Sequence, residues 1–181
     1  MTEDALRPDG LELLRRAGRS LRAQGGIPVV FGGLRDERGI RVTTTSGAQT
    51  ATLTTIVVRP DRGLGGRSWS SGQPQAVADY ARATDITHDF DRQILGEGIV
   101  GLAVAPVIVR NRVAGVINVQ HRQPHFHTGG EMELLTTVGE QVGCLAALAV
   151  GSRTVPLADN SQLSHDLGAR AVSIYGAGEE H

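Results

Sequence analysis

The residues with the clearest capacity for chemistry are three histidines in the stretch HRQPHFH: His121, His125 and His127. Neutral imidazoles ligate divalent transition ions. Here Pro124 breaks any helix between the first two, so the three cannot share one helical face. Neither a cysteine nor a nearby acidic ligand closes a tetrahedral set. The spacing therefore predicts no native metal site, only incidental nickel or zinc binding. Cys144 is the single cysteine, which excludes an intramolecular disulfide and a Cys-rich zinc site. It sits among Val142, Leu145 and Ala146 in a helical pattern, where a thiol is expected to be buried and inert. The Gly-rich segment DRGLGGRSWSSG lacks the Gly-Lys-Ser/Thr ending of a P-loop and the Gly-x-Gly-x-x-Gly spacing. A short helix wedged against a sheet accounts for it better than a phosphate cradle. No acid, base and nucleophile converge, so no catalytic residue is assigned and an enzyme is not expected.

Binding is the chemistry that remains. Trp69, Tyr80 and Phe90 are half of the aromatic residues in a chain where aromatics make up only 3%. Their clustering between residues 69 and 95 fits either a ligand cage or simple core filling. His88 lies in the same stretch beside Asp89. It could bond a ligand carboxylate, ligate haem, or face solvent as a cap. Ser70, Asn118 and Gln120 are the polar candidates, with Ile94 as apolar lining. Arg67 could pair an anion or face water.

These residues need a floor, and the apolar stretch Gly98–Gln120 provides one. Two β-branched runs flank Arg110-Asn111-Arg112, which predicts a hairpin with its turn at Asn111-Arg112. Setting residue 110 opposite 113 puts 108 opposite 115 and 104 opposite 119. Alternation then sorts Leu102, Val104, Ile108, Val113, Ile117 and Val119 onto a bulky face for helices. Gly101, Ala103, Ala105, Val107, Val116, Asn118 and Gln120 fall on the other, with small residues and amides. That second face is the expected pocket floor, and Ala103 and Ala105 join the ligand-binding candidates.

The remaining elements follow in order. Asp9 can cap a helix with a stripe at Leu11, Leu14, Gly18 and Leu21. Ile27–Leu34 and Gly39–Thr45 read as a strand pair turning at Arg35–Arg38. Gln49–Arg59 reads as a strand or extended crossover, with a helical middle as the alternative, and Gln73–Tyr80 as a short strand. Ala81–Gly96 is polar and helix-like. Thr128-Gly129-Gly130-Glu131 has the form of a capping box opening a helix to about Val150. In that helix Leu135, Val138, Val142 and Leu145 form an apolar stripe, and Gly139, Gly143 and Ala147 a small-residue stripe. Residues 1–9 are expected to fray. Residues 151–181 read as a linker or partly disordered tail, with a short helix possible at Asn160–Arg170. Helix, strands, crossover, hairpin and helix together predict an α+β fold with an antiparallel sheet.

The 181 residues carry a net charge of −1, so the charge balance gives no footprint for direct nucleic-acid binding. No apolar run approaches a membrane span, and the polar, acidic N-terminus is wrong for a signal peptide. A cytoplasmic protein is expected.

An ordered set of short motifs resembles the GAF domain. It comprises Gly63-Leu64-Gly65-Gly66-Arg67, Ser71-Gly72-Gln73-Pro74, Val77-Ala78-Asp79-Tyr80, Ala105-Pro106-Val107, Ala114-Gly115-Val116-Ile117 and Phe126-His127-Thr128. The likeness covers roughly residues 10–150. Ile86-Thr87-His88-Asp89 further resembles the GAF sensors of actinobacterial transcription regulators. The resemblance implies a PAS-like fold with a sheet of about six antiparallel strands. It places the terminal helices on one face and a small-molecule pocket on the other. It also implies signalling through those helices to an output domain, and a homodimer through Leu11, Leu14, Leu21, Leu135, Val138, Val142 and Leu145. The sequence ends too soon for a helix-turn-helix beyond the sensor. It is therefore read as an isolated sensor fragment or a stand-alone protein. A ligand-free dimerisation module is the alternative. No cofactor is named by the residues. The acidic signature of cyclic-nucleotide GAF domains is missing, and one helical cysteine cannot run the multi-cysteine chemistry of the methionine sulfoxide reductases that share the fold.

Overall fold

The computed structural model describes residues 7–151. Helix α1 (Arg7–Gly25) leads into β1 (Val29–Asp36), β2 (Gly39–Arg41) and β3 (Thr44–Ser46). A 3-10 turn at Thr52–Thr55 precedes β4 (Val57–Val58), α2 (Gly63–Ser71) and β5 (Gln75–Val77). A second 3-10 turn at Tyr80–Arg82 and α3 (Asp91–Gly96) lead to β6 (Gly101–Val109), β7 (Arg112–His121) and α4 (Gly129–Gly151). The strands form one antiparallel sheet in the order β4-β2-β1-β7-β6-β5, with β3 also paired to β1. No described helix is long and apolar enough to cross a membrane. The fold is the α+β arrangement the element order predicts.

Local chemistry explains most boundaries. Thr128 Oγ1 accepts from the Glu131 N–H at 3.2 Å while Glu131 accepts from the Thr128 N–H at 2.5 Å, the predicted capping box at the start of α4. Gly72 adopts φ 67° and ends α2. Helix α1 starts at Arg7, ahead of the expected cap; Asp9 lies in its first turn, where a carboxylate complements the helix dipole. The stretch from 83 to 90 is not helical, because a Thr/Asp-rich loop bonds through its side chains instead.

The central hairpin differs from expectation in a way that matters for the site. Its turn residues are Arg110 (φ 49°) and Asn111 (φ 63°), closed by the Val109–Arg112 pair. Two positive φ values are the type I′ requirement, and Asn takes the second position, not the first. That displacement alone keeps every face, because it moves the pairing by two. A bulge then leaves Ala114 unpaired: Ile108 faces Val113, but Val107 faces Gly115. One extra residue on β7 inverts β6 relative to the expected register. Ala103, Ala105 and Val107 therefore join Ile117 and Val119 under the helices, while Leu102 and Val104 join Val116 on the opposite face.

Two layers of core result. On the helix face Leu13, Leu14, Leu21, Leu135, Val138 and Val142 pack over the small β6 side chains. The predicted small-residue stripe brings α4 onto β6: a Cβ on Gly139 would lie 2.3 Å from the Pro106 carbonyl oxygen, and one on Gly143 2.0 Å from that of Ile108. On the other face Val29, Phe31, Ile40, Val58, Leu102, Val104 and Val116 are covered by Leu53, Leu64, Tyr80, Ile94 and Ile99. The stripe assigned to a dimer interface is corrected here. Leu14, Leu21, Leu135, Val138 and Val142 are buried within the chain itself, and Leu11 and Leu145 pack against the same cluster. Periodicity shows that a face is buried, not what buries it.

Candidate functional site

The site face is the one under residues 53–99, which form a lid of short elements. Gln120 faces it from β7, paired between Val29 and Leu102, and is fully buried. Neither Oε1 nor Nε2 of its amide has a hydrogen-bond partner among the described residues. The Tyr80 hydroxyl, on a residue only 1% exposed, is turned toward the Asp91 carboxylate. Burial, with the neighbouring Asp91 carboxylate, pushes that phenol well above its ordinary range, so it stays protonated as a donor. Asn118 is satisfied in part, its Nδ2 donating to the Phe31 carbonyl at 3.3 Å. Ile94 is buried in the same apolar cluster and Phe90 packs against it. Gly63, at φ +61°, makes room for that ring: a Cβ there would sit 2.8 Å from Phe90 Cδ2.

The remaining candidates lie elsewhere. Ala103 and Ala105 are under the helices because of the bulge, and do not line the lid face. Trp69 is half-buried at the rim, with the Arg35 guanidinium 5.8 Å above its ring centroid. Ser70 is exposed and accepts from the Asp61 N–H at 3.1 Å. His88 has both ring nitrogens engaged, Nε2 with the Ala83 carbonyl and Nδ1 with Asp91 Oδ1, each at 2.7 Å. Both partners are acceptors, so they favour the protonated ring and raise its pKa, the Ala83 carbonyl most and Asp91 next. In this arrangement His88 has no nitrogen for haem iron or a ligand; it staples the loop before α3. Arg67 pairs with Asp85 at 2.5 Å and holds that carboxyl below its usual range.

Glu97 was not singled out from the sequence, yet it organises the lid's edge. Its buried carboxylate accepts from the Gln49 N–H at 2.5 Å, the Thr50 N–H at 2.9 Å, the Thr50 hydroxyl and Arg122 Nη2 at 3.1 Å. Burial alone would raise its pKa, but these donors outweigh burial and lower it. The signal was an isolated acid between two glycines, Gly96 and Gly98, ahead of an apolar strand.

Cys144 is exposed, correcting the expectation of a buried thiol. It lines an open groove of about 870 Å³ between α4, the β6–β7 turn and the end of α2. The thiol lies outside the apolar seam because α4 turns Val142 and Ala146 inward on either side of it.

A helix-backed antiparallel sheet with a lidded second face is the architecture of a GAF domain. The GAF family profile matches residues 9–144, and the chain belongs to that family. Over 112 residues, 61% of this chain, it is 35% identical to the HTH-type transcriptional activator RamA of Corynebacterium glutamicum. The match spans 40% of that activator's length. Among solved structures, the GAF domain/HD domain protein from Geobacter sulfurreducens aligns with a TM-score of 0.65 at 15% identity, covering 83% of this chain and 99% of that one. Free methionine-R-sulfoxide reductase from Neisseria meningitidis, in complex with its substrate, aligns with a TM-score of 0.64 at 16% identity, over 81% and 85%. At such identities the likeness is one of fold.

Proposed function

We propose that this chain is the small-molecule-sensing module of a transcription regulator, with its ligand bound between the sheet and the lid. The observation that carries the reading is the Gln120 amide, fully buried with neither heteroatom paired. An unpaired buried polar group costs about 1–3 kcal/mol, and a native protein retains one where something else completes it. Gln120 offers a donor and an acceptor among apolar side chains. These groups favour a small, mostly apolar ligand with a matching donor and acceptor. The lid opens to admit it, and the change passes through the sheet to α1 and α4, which lead toward the output. Any pairing with a second copy uses the outward faces of these helices, since the inward stripe is occupied. The likeness to RamA supports a regulatory, non-enzymatic, cytoplasmic role, and the lone thiol outside the lid face fits no resolving-cysteine chemistry.

Native mass spectrometry of the untagged chain from an actinobacterial host, paired with a denatured run, tests this. The expected result is one non-covalent small molecule per chain, absent from Gln120→Leu. A ligand-free mass, with no thermal shift from aromatic acids, amides or nucleotides, overturns it.

A further inference from the structure

Away from the lid face, the loop between β7 and α4 brings together the three histidines whose spacing argued against a site. Their candidate ligand nitrogens all lie within 4.8 Å of one another. His121 and His125 stack with centroids 3.9 Å apart, and His127 lies edge-on to both, at 5.5 and 4.6 Å. The spacing argument tested only for a shared helical face. The strand end and the returning loop supply the convergence instead.

We propose that His121, His125 and His127 bind one divalent transition ion of the zinc type, with Glu131 orienting His125. All three donors are imidazoles, which suits zinc, cobalt, nickel or copper over magnesium or calcium. Both nitrogens of His127 are buried and have no hydrogen-bond partner among the described residues, an arrangement that a bound ion would resolve. Glu131 Oε1 lies 3.0 Å from His125 Nε2. A carboxylate can only accept there, so Nε2 carries the proton and Nδ1 is left to ligate, a carboxylate–histidine–metal relay. Glu131 is itself fixed by the capping box.

The loop is prepared for this. The His125 N–H donates to the Ala78 carbonyl at 3.1 Å, and Arg122 anchors to Glu97. Gly101 lets the loop cross β6: a Cβ there would lie 3.0 Å from that of His125. Tetrahedral bonds of ~2.0–2.1 Å need nitrogens about 3.3 Å apart, so binding closes the cluster and unstacks His121 from His125. Three protein ligands leave a fourth position for water or an exogenous donor.

The test uses the full chain without a polyhistidine tag, stripped with chelator, then titrated with zinc chloride by calorimetry and with cobalt(II) by absorption. The expected result is one zinc per chain at micromolar affinity or tighter, with the intense visible band of four-coordinate cobalt. His127→Gln and His125→Gln should each weaken zinc binding at least ~10-fold. Weak binding that both variants retain, or the pale spectrum of six-coordinate cobalt, overturns the site and leaves adventitious binding. If His127→Gln fails to fold, the part-exposed His125 variant and the wild-type cobalt spectrum still decide it.

Discussion

The two faces of the sheet are built from different interactions. The helix face is chiefly hydrocarbon: two long helices seat Leu13, Leu14, Leu135, Val138 and Val142 on Ala103, Ala105, Ile117 and Val119. Each large side chain removed from water there contributes roughly 1.5–3 kcal/mol. The lid face has a comparable apolar floor, but short elements cover it and polar staples hold them: Glu97, Thr87 on the Gly63 N–H, Arg67 on Asp85, and His88 on Asp91. It also carries the Gln120 amide, without a hydrogen-bond partner among the described residues. One face is therefore an anchor, and the other is covered by short elements held largely by polar contacts, which is what the proposed opening for a ligand requires.

The largest expected effect falls on the anchor. Leu135→Ala should cost about 3 kcal/mol in urea unfolding, with no change of oligomeric state by sedimentation. Dissociation of a dimer in place of that loss would return the stripe to an intermolecular role. Next comes the strongest lid staple. Glu97→Gln should cost about 2 kcal/mol, since it removes charge-assisted bonds to two backbone N–H groups and Arg122. The folded state lowers this carboxyl's pKa, so its contribution is present above the ordinary glutamate value of about 4.3 and is lost as pH falls through the folded one. Unfolding curves of wild type and variant should converge in that acid window. Curves that stay separated even where the folded carboxyl is fully protonated would show that the loss is packing, not charge.

What the sequence disclosed, and what it concealed, follows the same division. The capping box, the small-residue stripe of α4, the hairpin and the layering of helices and lid were legible, because each depends on periodicity or on residues a few positions apart. The bulge at Ala114 was not. Its extra residue follows from how β7 must meet both β1 and β6, and it moved Ala103 and Ala105 to the anchor. Of the ligand candidates, Tyr80, Phe90, Ile94, Asn118 and Gln120 share the lid face, while Trp69 and Ser70 lie at or beyond its rim. Hydropathy could select the face but not the bonds: nothing local said that His88 is committed to Ala83 and Asp91, or that a loop would fold three histidines together.

Two smaller effects sharpen the contrast. Gln120→Leu should stabilise the ligand-free chain by about 1 kcal/mol, because it removes an unpaired buried amide from an apolar site. A thermal midpoint that rises in the variant, together with loss of the ligand, would identify Gln120 as a functional compromise. A midpoint that falls would mean that the amide is already satisfied and that the lid face is simply core.

The smallest effect belongs to His88, and its sign is opposite to that of Glu97. Partnering raises its pKa, so the staple is fully present below the ordinary histidine value of about 6.5 and fades as pH rises through the folded one. The ring is partly exposed, so global unfolding should hardly register the change. Amide exchange should register it, as lost protection in residues 84–91 above neutrality, after correction for intrinsic rates. His88→Gln should show that loss at every pH. If wild type and variant respond alike, the loop is held by Thr87 and Arg67, and the lid's mobility is independent of pH on the alkaline side. If they differ, acid weakens the Glu97 edge and base weakens the His88 turn, and the lid is most tightly closed between the two.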